Sequence, residues 1–139
     1  WNNLERYTAT MQWEKLYHNV SVKTMLADKY LVRDWVAQKI GDQYLIPLLG
    51  VWNSFDEIDF SKLPKQFVIK TNHGSGSVIV VKDKAMMDYK STKRKFDDWM
   101  QMDFAYTTSF EMHYSDIDRK IIAEQYLETE LGELQDYRF

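Results

Sequence analysis

The stretch FVIKTNHGSGSVIVV, residues 67–81, places a lysine and a glycine-bearing loop between two β-branched runs. Lys70 lies inside the first apolar run, where a cation needs either solvent or an anion as its partner. Gly74 and Gly76 let the following loop bring its backbone amides close to a phosphate. The pattern therefore predicts a hairpin that could bind phosphate through Lys70 and the loop Asn72, His73, Gly74, Ser75, Gly76 and Ser77.

A plain surface hairpin with an exposed lysine explains the same residues, and the pattern alone does not separate the two interpretations. No GxxxxGK[ST] motif is present, which excludes a Walker-type phosphate loop, and no GxGxxG opens a helix after a strand. His73 could either touch a phosphate or stabilise the loop. Any phosphate-binding hairpin here must therefore be of another kind.

A second group of polar residues follows the apolar run IIA at residues 121–123. The carboxylate of Glu124 could accept the exocyclic amine of adenine, and the strand-like backbone of Gln125 and Leu127 could read the edge of the ring. Asp136 could accept hydrogen bonds from ribose hydroxyls. Charged residues on an edge strand would give the same pattern, so the nucleotide interpretation is one of two at this point.

Other chemistries have little support in the sequence. There is no cysteine, which excludes disulfides, a cysteine nucleophile and cysteine-bound zinc. His18 and His113 stand alone without HExxH spacing, so we expect no metal site built from this chain alone. The acidic pair Asp97 and Asp98 falls on a predicted helix, whereas a transferase DxD motif would follow a strand.

The surrounding pattern predicts a mixed α+β domain with long elements and few loops. Helices are expected at about residues 10–18, 23–40 and 86–102. Gly41 should form the C-terminal cap of the second helix, and the KSTKRK run should form a solvated face of the third. Ser54 and Glu57 have the spacing of a capping box. The segment around Pro47 should be an edge strand or an extended connection, and strands are expected at residues 67–71, 78–81, 119–128 and 134–139.

Composition sets the broad class. The 139 residues are 45% hydrophobic and 28% charged, which is typical of a globular domain. A net charge of −3 without a basic tail argues against a nucleic-acid partner. No apolar run approaches the roughly 20 residues of a membrane span, no export signal is visible, and the absence of cysteine fits a cytoplasmic protein. The chain begins at Trp1 and reaches Phe139 within a strand-like run, so we expect it to be part of a longer protein.

Three blocks of the sequence resemble the TupA-like ATP-grasp family, which is named for teichuronopeptide biosynthesis. They are LADKYLVRDWVAQKIGDQYLIPLLGVW, FDEIDFSKLPKQFVIKTNHGSGSVIVVKD, and IIAEQYLE with DYRF. The blocks occur in the family's order and the resemblance covers about residues 11–139. Members are often labelled glycosyltransferases of capsule or other surface polysaccharide clusters.

The resemblance implies that ATP is held between two α+β subdomains, with a mobile hairpin over its phosphates. Residues 1–27 would then be an N-terminal helical segment and residues 28–139 the nucleotide-binding portion. Lys70 would be the catalytic residue and would contact the phosphates, residues 72–77 would close over them, Glu124, Gln125 and Leu127 would hold adenine, and Asp136 the ribose. Asp28 and Lys29 would start a helix and not form a site.

The resemblance also implies a chemistry and its limits. The family reaction would activate a carboxylate as an acyl phosphate, which an amine then attacks, the donor and acceptor being an amino acid and a glycan. Family members bind Mg²⁺ through residues downstream of the adenine segment, so we expect the metal ligands outside this chain and no catalysis by these residues alone. A glycosyltransferase or other sugar-modifying enzyme, and a non-catalytic carbohydrate-binding module that uses the aromatic surplus, are the alternatives.

Overall fold

A computed structural model describes residues 5–18 and 20–128. These residues form four α-helices and four β-strands, which confirms the α+β class. The helices are α1 (Tyr7–Tyr17), α2 (Ser21–Ala27), α3 (Val32–Ile40) and α4 (Tyr89–Gln101). The strands are β1 (Leu48–Trp52), β2 (Phe67–Thr71), β3 (Val78–Val81) and β4 (Ile121–Gln125). Short 3-10 turns and one π-helical turn, Ala105–Ser109, connect them.

The strands form one antiparallel sheet in the order β1-β4-β2-β3. The last strand in sequence thus lies between β1 and β2, while β2 and β3 form the predicted hairpin. The strand after Pro47 is β1, and it lies at the edge of the sheet as expected, because proline cannot contribute a ladder hydrogen bond. The predicted strand at 134–139 lies outside the described residues.

One face of the sheet is buried in the core, and the other is only partly covered. Along β2, Phe67, Ile69 and Thr71 are buried, whereas Val68 and Lys70 point to the other face and are only partly covered. The buried face forms the core with Phe96 of α4 and with Phe55, Ile58 and Leu63, which precede β2. The neighbouring strands add Val81 from β3 and Ile121 and Ala123 from β4. The opposite face is therefore free to line a site.

The predicted single helix over residues 23–40 is wrong: the structure has two helices with a break at residues 28–31. Asp28 is the physical reason. Its buried carboxylate accepts hydrogen bonds from the backbone amides of Tyr30, at 2.7 Å, and Leu31, at 3.2 Å. These amides would otherwise lack partners at the start of α3, so an N-terminal cap interrupts the apolar periodicity. The expectation that Asp28 starts a helix is confirmed.

Three smaller expectations are corrected or confirmed at element ends. Helix α4 begins at Tyr89 and not at residue 86, because the side chain of Asp88 accepts the Ser91 amide at 3.0 Å and caps it. Gly41 does end α3, with a φ of 104°. In the predicted capping box, Glu57 accepts the amide of Asn53 at 2.9 Å, one residue before the expected Ser54.

Candidate functional site

An ion pair between β2 and β4 occupies the open face of the sheet. The ammonium Nζ of Lys70 lies 2.5 Å from Oε2 of Glu124, and the two side chains are 22% and 6% exposed. Strand register explains the contact, because Val68 is paired with Glu124 and Lys70 lies two residues further along β2, on the same face. The structure therefore brings the two sequence-predicted site residues together, on one side of the sheet.

Arg33 joins this pair, and no sequence pattern predicted this contact. From α3 its Nη1 donates to the other oxygen of Glu124, Oε1, at 2.9 Å, and its Nη2 donates to the carbonyl of Ile46. Both ionised side chains are largely buried. A buried carboxylate is costly unless it is paired and hydrogen-bonded, and here each oxygen has its own cation. Only the 91-residue separation of the partners hid this contact from sequence patterns.

A groove of about 240 Å³ opens beside the ion pair. Its walls are mostly apolar, and its two charged side chains are Lys70 and Glu124, which contact each other. The lining residues are Ile46, Val68, Lys70, Val78, Val80, Glu124, Gln125, Tyr126 and Leu127. A volume somewhat below the roughly 300 Å³ of small-ligand pockets suits a ring system that continues outward as a longer molecule. We call this feature the groove.

A second lysine, Lys29, approaches the hairpin from the start of α3. Its backbone amide donates to the Asn72 carbonyl at 3.0 Å, and its Nζ donates to the carbonyl of Gly74. Burial lowers the pKa of Lys29, and the neighbouring charge of Lys70 lowers it further, whereas Asp28 opposes both effects. The expectation of a purely structural Lys29 missed that its ammonium group shares this region with Lys70.

The loop of the hairpin is held at its base. Thr71 donates its amide to the Ser77 carbonyl at 3.1 Å, and its hydroxyl lies 2.9 Å from the Ser77 hydroxyl and 3.0 Å from the carbonyl of His73. Gly74 and Gly76 have φ values of 72° and 83°, a region that strongly favours glycine. Ser75 and Gly76 are exposed at the tip, so two residues of the loop are open to a ligand.

The side chain of Asn72 points into the protein. It is fully buried, its Nδ2 donates to the Asp118 carbonyl at 2.9 Å, and its Oδ1 accepts the Lys120 amide at 2.7 Å. All of these partners belong to the segment that leads into β4. Because these atoms are already satisfied, Asn72 fixes the position of the loop, and a phosphate contact from its side chain has no geometric support.

His73 is also buried, at 4% exposure, on the side of the loop away from Lys70. Its Nε2 lies 3.1 Å from the carbonyl of Trp99, which can only accept, so this nitrogen carries the proton. Nδ1 has no hydrogen-bond partner in the described part of the chain. Burial lowers the pKa of His73 despite the opposing Trp99 carbonyl, which favours the neutral ring and the loop-stabilising interpretation.

The adenine-binding residues expected after Glu124 are only partly described. Gln125 and Leu127 are exposed and line the groove. The Gln125 amide already donates to the Pro47 carbonyl at 2.9 Å, which leaves the backbone beyond it, toward Leu127, to meet a ring edge. Asp136 lies outside the described residues, so its contact with ribose stays a prediction.

Within residues 5–18 and 20–128 no three acidic, histidine or cysteine side chains converge in a way that could hold a metal ion. None of the helices in the same ranges is long and apolar enough to cross a bilayer. Asp97 and Asp98 lie on α4, as expected.

The family model described as TupA-like ATPgrasp matches residues 9–139, which is nearly the whole chain. No curated protein and no solved structure matches the chain. The matched range includes α3, the β2–β3 hairpin and β4, and therefore every residue of the groove and of the ion pair.

Proposed function

Because the chain belongs to the TupA-like ATPgrasp family, we propose that it binds ATP in the groove, with the phosphates toward the β2–β3 loop. The observation that carries this proposal is the Lys70–Glu124 pair at the junction of the groove and the loop. Lys70 is paired with Val78, the first residue after the loop, so the ammonium group lies where groove and loop meet. A base at one side and phosphates at the other fit this arrangement.

The base would occupy the apolar part of the groove. Val68, Val78 and Val80 offer a flat β-branched surface against which a purine ring can pack. Each carboxylate oxygen has two lone pairs, so Glu124 can accept the exocyclic amine of adenine in addition to its two cations, and the backbone near Leu127 can meet the ring edge. Apolar walls with few converging polar groups are the usual composition of such a pocket.

The phosphates would lie against Lys70, Lys29 and the loop tip. Two ammonium groups lie on this side, close enough that one charge affects the other, and like charges that converge favour an anion between them. The backbone amides of Ser75 and Gly76 are at the exposed tip and could add donors. A contact between unit charges at 4 Å is worth about 4 kcal/mol at an effective dielectric of 20, before desolvation.

For the reaction, we propose that this chain is the ATP-binding part of a carboxylate–amine ligase that works in cell-surface polysaccharide or teichuronopeptide biosynthesis. A carboxylate oxygen of the substrate would attack the γ-phosphorus of ATP, which forms an acyl phosphate and releases ADP. The amine nitrogen would then form the new bond to the carboxyl carbon, and inorganic phosphate and a proton would leave. The residues described here would bind, orient and screen charge, and none is a nucleophile. Such an ATP-dependent reaction belongs in the cytoplasm, where ATP is supplied.

The test is ATP binding by Lys70→Met, measured by calorimetry. Loss of one phosphate-binding cation should weaken ATP binding by at least about tenfold, while Arg33 still satisfies Glu124 and the fold survives. Lys90→Met, an exposed lysine on α4, is the matched control and should bind as the unaltered protein does. Equal ATP affinity in all three proteins would contradict the proposal.

A further inference from the structure

We propose that Arg33 is a positioning residue that sets the preference of the groove for polyphosphates: it neutralises Glu124 so that the charge of Lys70 is available to a phosphate. This inference rests on the proposed function. It starts from one geometric fact, namely that both oxygens of Glu124 are occupied, Oε1 by Arg33 at 2.9 Å and Oε2 by Lys70 at 2.5 Å.

The charges around the site give the first argument. Lys29, Arg33 and Lys70 and the two carboxylates of Asp28 and Glu124 form one group of interacting charges. This group carries one excess positive charge. Without Arg33 the count would balance, and Lys70 would be the only cation in contact with Glu124. A phosphate would then have to compete with a buried carboxylate for the same ammonium group.

Burial gives the second argument. The side chains of Arg33 and Glu124 are 14% and 6% exposed, so the competition would take place where water screens charge weakly. Guanidinium is always charged and its rigid fork donates in two directions. With Nη1 on Glu124 and Nη2 on the Ile46 carbonyl, Arg33 stays in place when Lys70 turns toward a ligand, and Glu124 is not left unpaired.

The inference separates Arg33 from the groups that would touch ATP directly. Adenosine has no phosphate, so its binding uses the apolar walls and Glu124 but does not need a free Lys70. ATP needs both. Arg33 should therefore control the ratio of ATP affinity to adenosine affinity more than it controls adenosine affinity itself.

The experiment measures ATP and adenosine binding by calorimetry for the unaltered protein, Arg33→Met, Arg33→Lys and, as a matched control, the exposed Arg94→Met. Arg33→Met should lower the ATP-to-adenosine preference by at least about tenfold and change adenosine affinity by less than about threefold. Arg33→Lys, which keeps the charge, should retain most of the preference, and Arg94→Met all of it.

Equal losses for ATP and adenosine in Arg33→Met, or the same loss of preference in Arg33→Lys, would overturn the inference, because they would indicate a structural role. If Arg33→Met does not fold, Glu124→Gln and the double variant Arg33→Met/Glu124→Gln replace it. Neither variant has a carboxylate to hold Lys70, so their ratios of ATP affinity to adenosine affinity should agree within about threefold. A tenfold difference between these ratios would overturn the inference. Failure of the unaltered protein to bind ATP would instead overturn the proposed function, and this inference with it.

Discussion

Lys29 and Lys70 come from different elements, the start of α3 and strand β2, yet the charge of Lys70 is among the causes that lower the pKa of Lys29, second to burial. A protein that holds two ammonium groups near each other must offset their repulsion. Asp28 offsets part of it and Glu124 another part.

ATP binding should weaken at a lower alkaline pH than an ordinary lysine would cause. The pKa of Lys29 lies below its ordinary 10.5, so Lys29 loses its proton, and its attraction for phosphate, before an ordinary lysine does. As the pH rises from neutral toward the ordinary lysine value of 10.5, ATP affinity should fall more in the unaltered protein than in Lys29→Arg, whose charge persists. Titration calorimetry at several pH values measures this, with adenosine as the reference ligand. Parallel ATP profiles would contradict it.

Acid should destabilise the fold through His73. The pKa of the folded-state His73 is below the ordinary 6.5 because the ring is buried. Above about pH 6.5 both folded and unfolded states hold it neutral. As the pH falls below that value, the unfolded state takes up a proton first and stability is lost until the folded pKa is reached. Urea unfolding at about pH 7.5 and 5.5 should show a larger loss for the unaltered protein than for His73→Gln, and equal losses would be evidence against this role.

The two loop glycines should differ in their tolerance of alanine. A Cβ at Gly74 would lie 2.5 Å from Cδ2 of Phe104, whereas a Cβ at Gly76 would meet nothing within 4 Å. Both have positive φ, which costs an alanine roughly 1–2 kcal/mol. Gly76→Ala should therefore lower the free energy of unfolding by about that amount, and Gly74→Ala by about 2 kcal/mol more. Chemical denaturation of both variants checks the order, and similar losses would refute the predicted contact with Phe104.

Replacing Asn72 by aspartate should be severe at neutral pH. The carboxylate can still accept the Lys120 amide, but it faces the Asp118 carbonyl, to which Asn72 donates. A buried charge against a carbonyl should cost about 3 kcal/mol. Protonation restores a donor, so the variant should recover part of this loss as the pH is lowered toward 5. A stability difference that does not depend on pH would show that the hydrogen bond to Asp118 is unimportant.

The fold was predictable where local patterns decide it. Two β-branched runs around a glycine-bearing loop gave the hairpin, and Pro47 placed β1 at the sheet edge. The helix expected over residues 23–40 was wrong because one buried carboxylate, that of Asp28, caps the backbone more favourably than continued helix would. Hydrophobic periodicity continues across such a cap, so the period alone does not reveal the break.

The site was predictable in its parts and not in its connections. Lys70 and Glu124 were each chosen for their chemistry beside apolar runs, but strand register, which the sequence does not state, brings them into contact. Arg33 lies on α3, 91 residues before Glu124, and no local pattern links the two. Asn72 could equally have faced a ligand or the interior, because an asparagine satisfies backbone groups in both settings.

The hydrogen bonds of Thr71 and Lys29 shape the hairpin loop before any ligand arrives. Most of the conformational entropy of that segment is thus lost during folding, and a ligand has only its two tip residues left to order. A binding site arranged in this way would not need a lid to close before it holds its ligand. The rate of nucleotide binding would then be set by diffusion and electrostatic attraction. High salt, which screens the charges, would lower this rate more than the ordering of the two tip residues does.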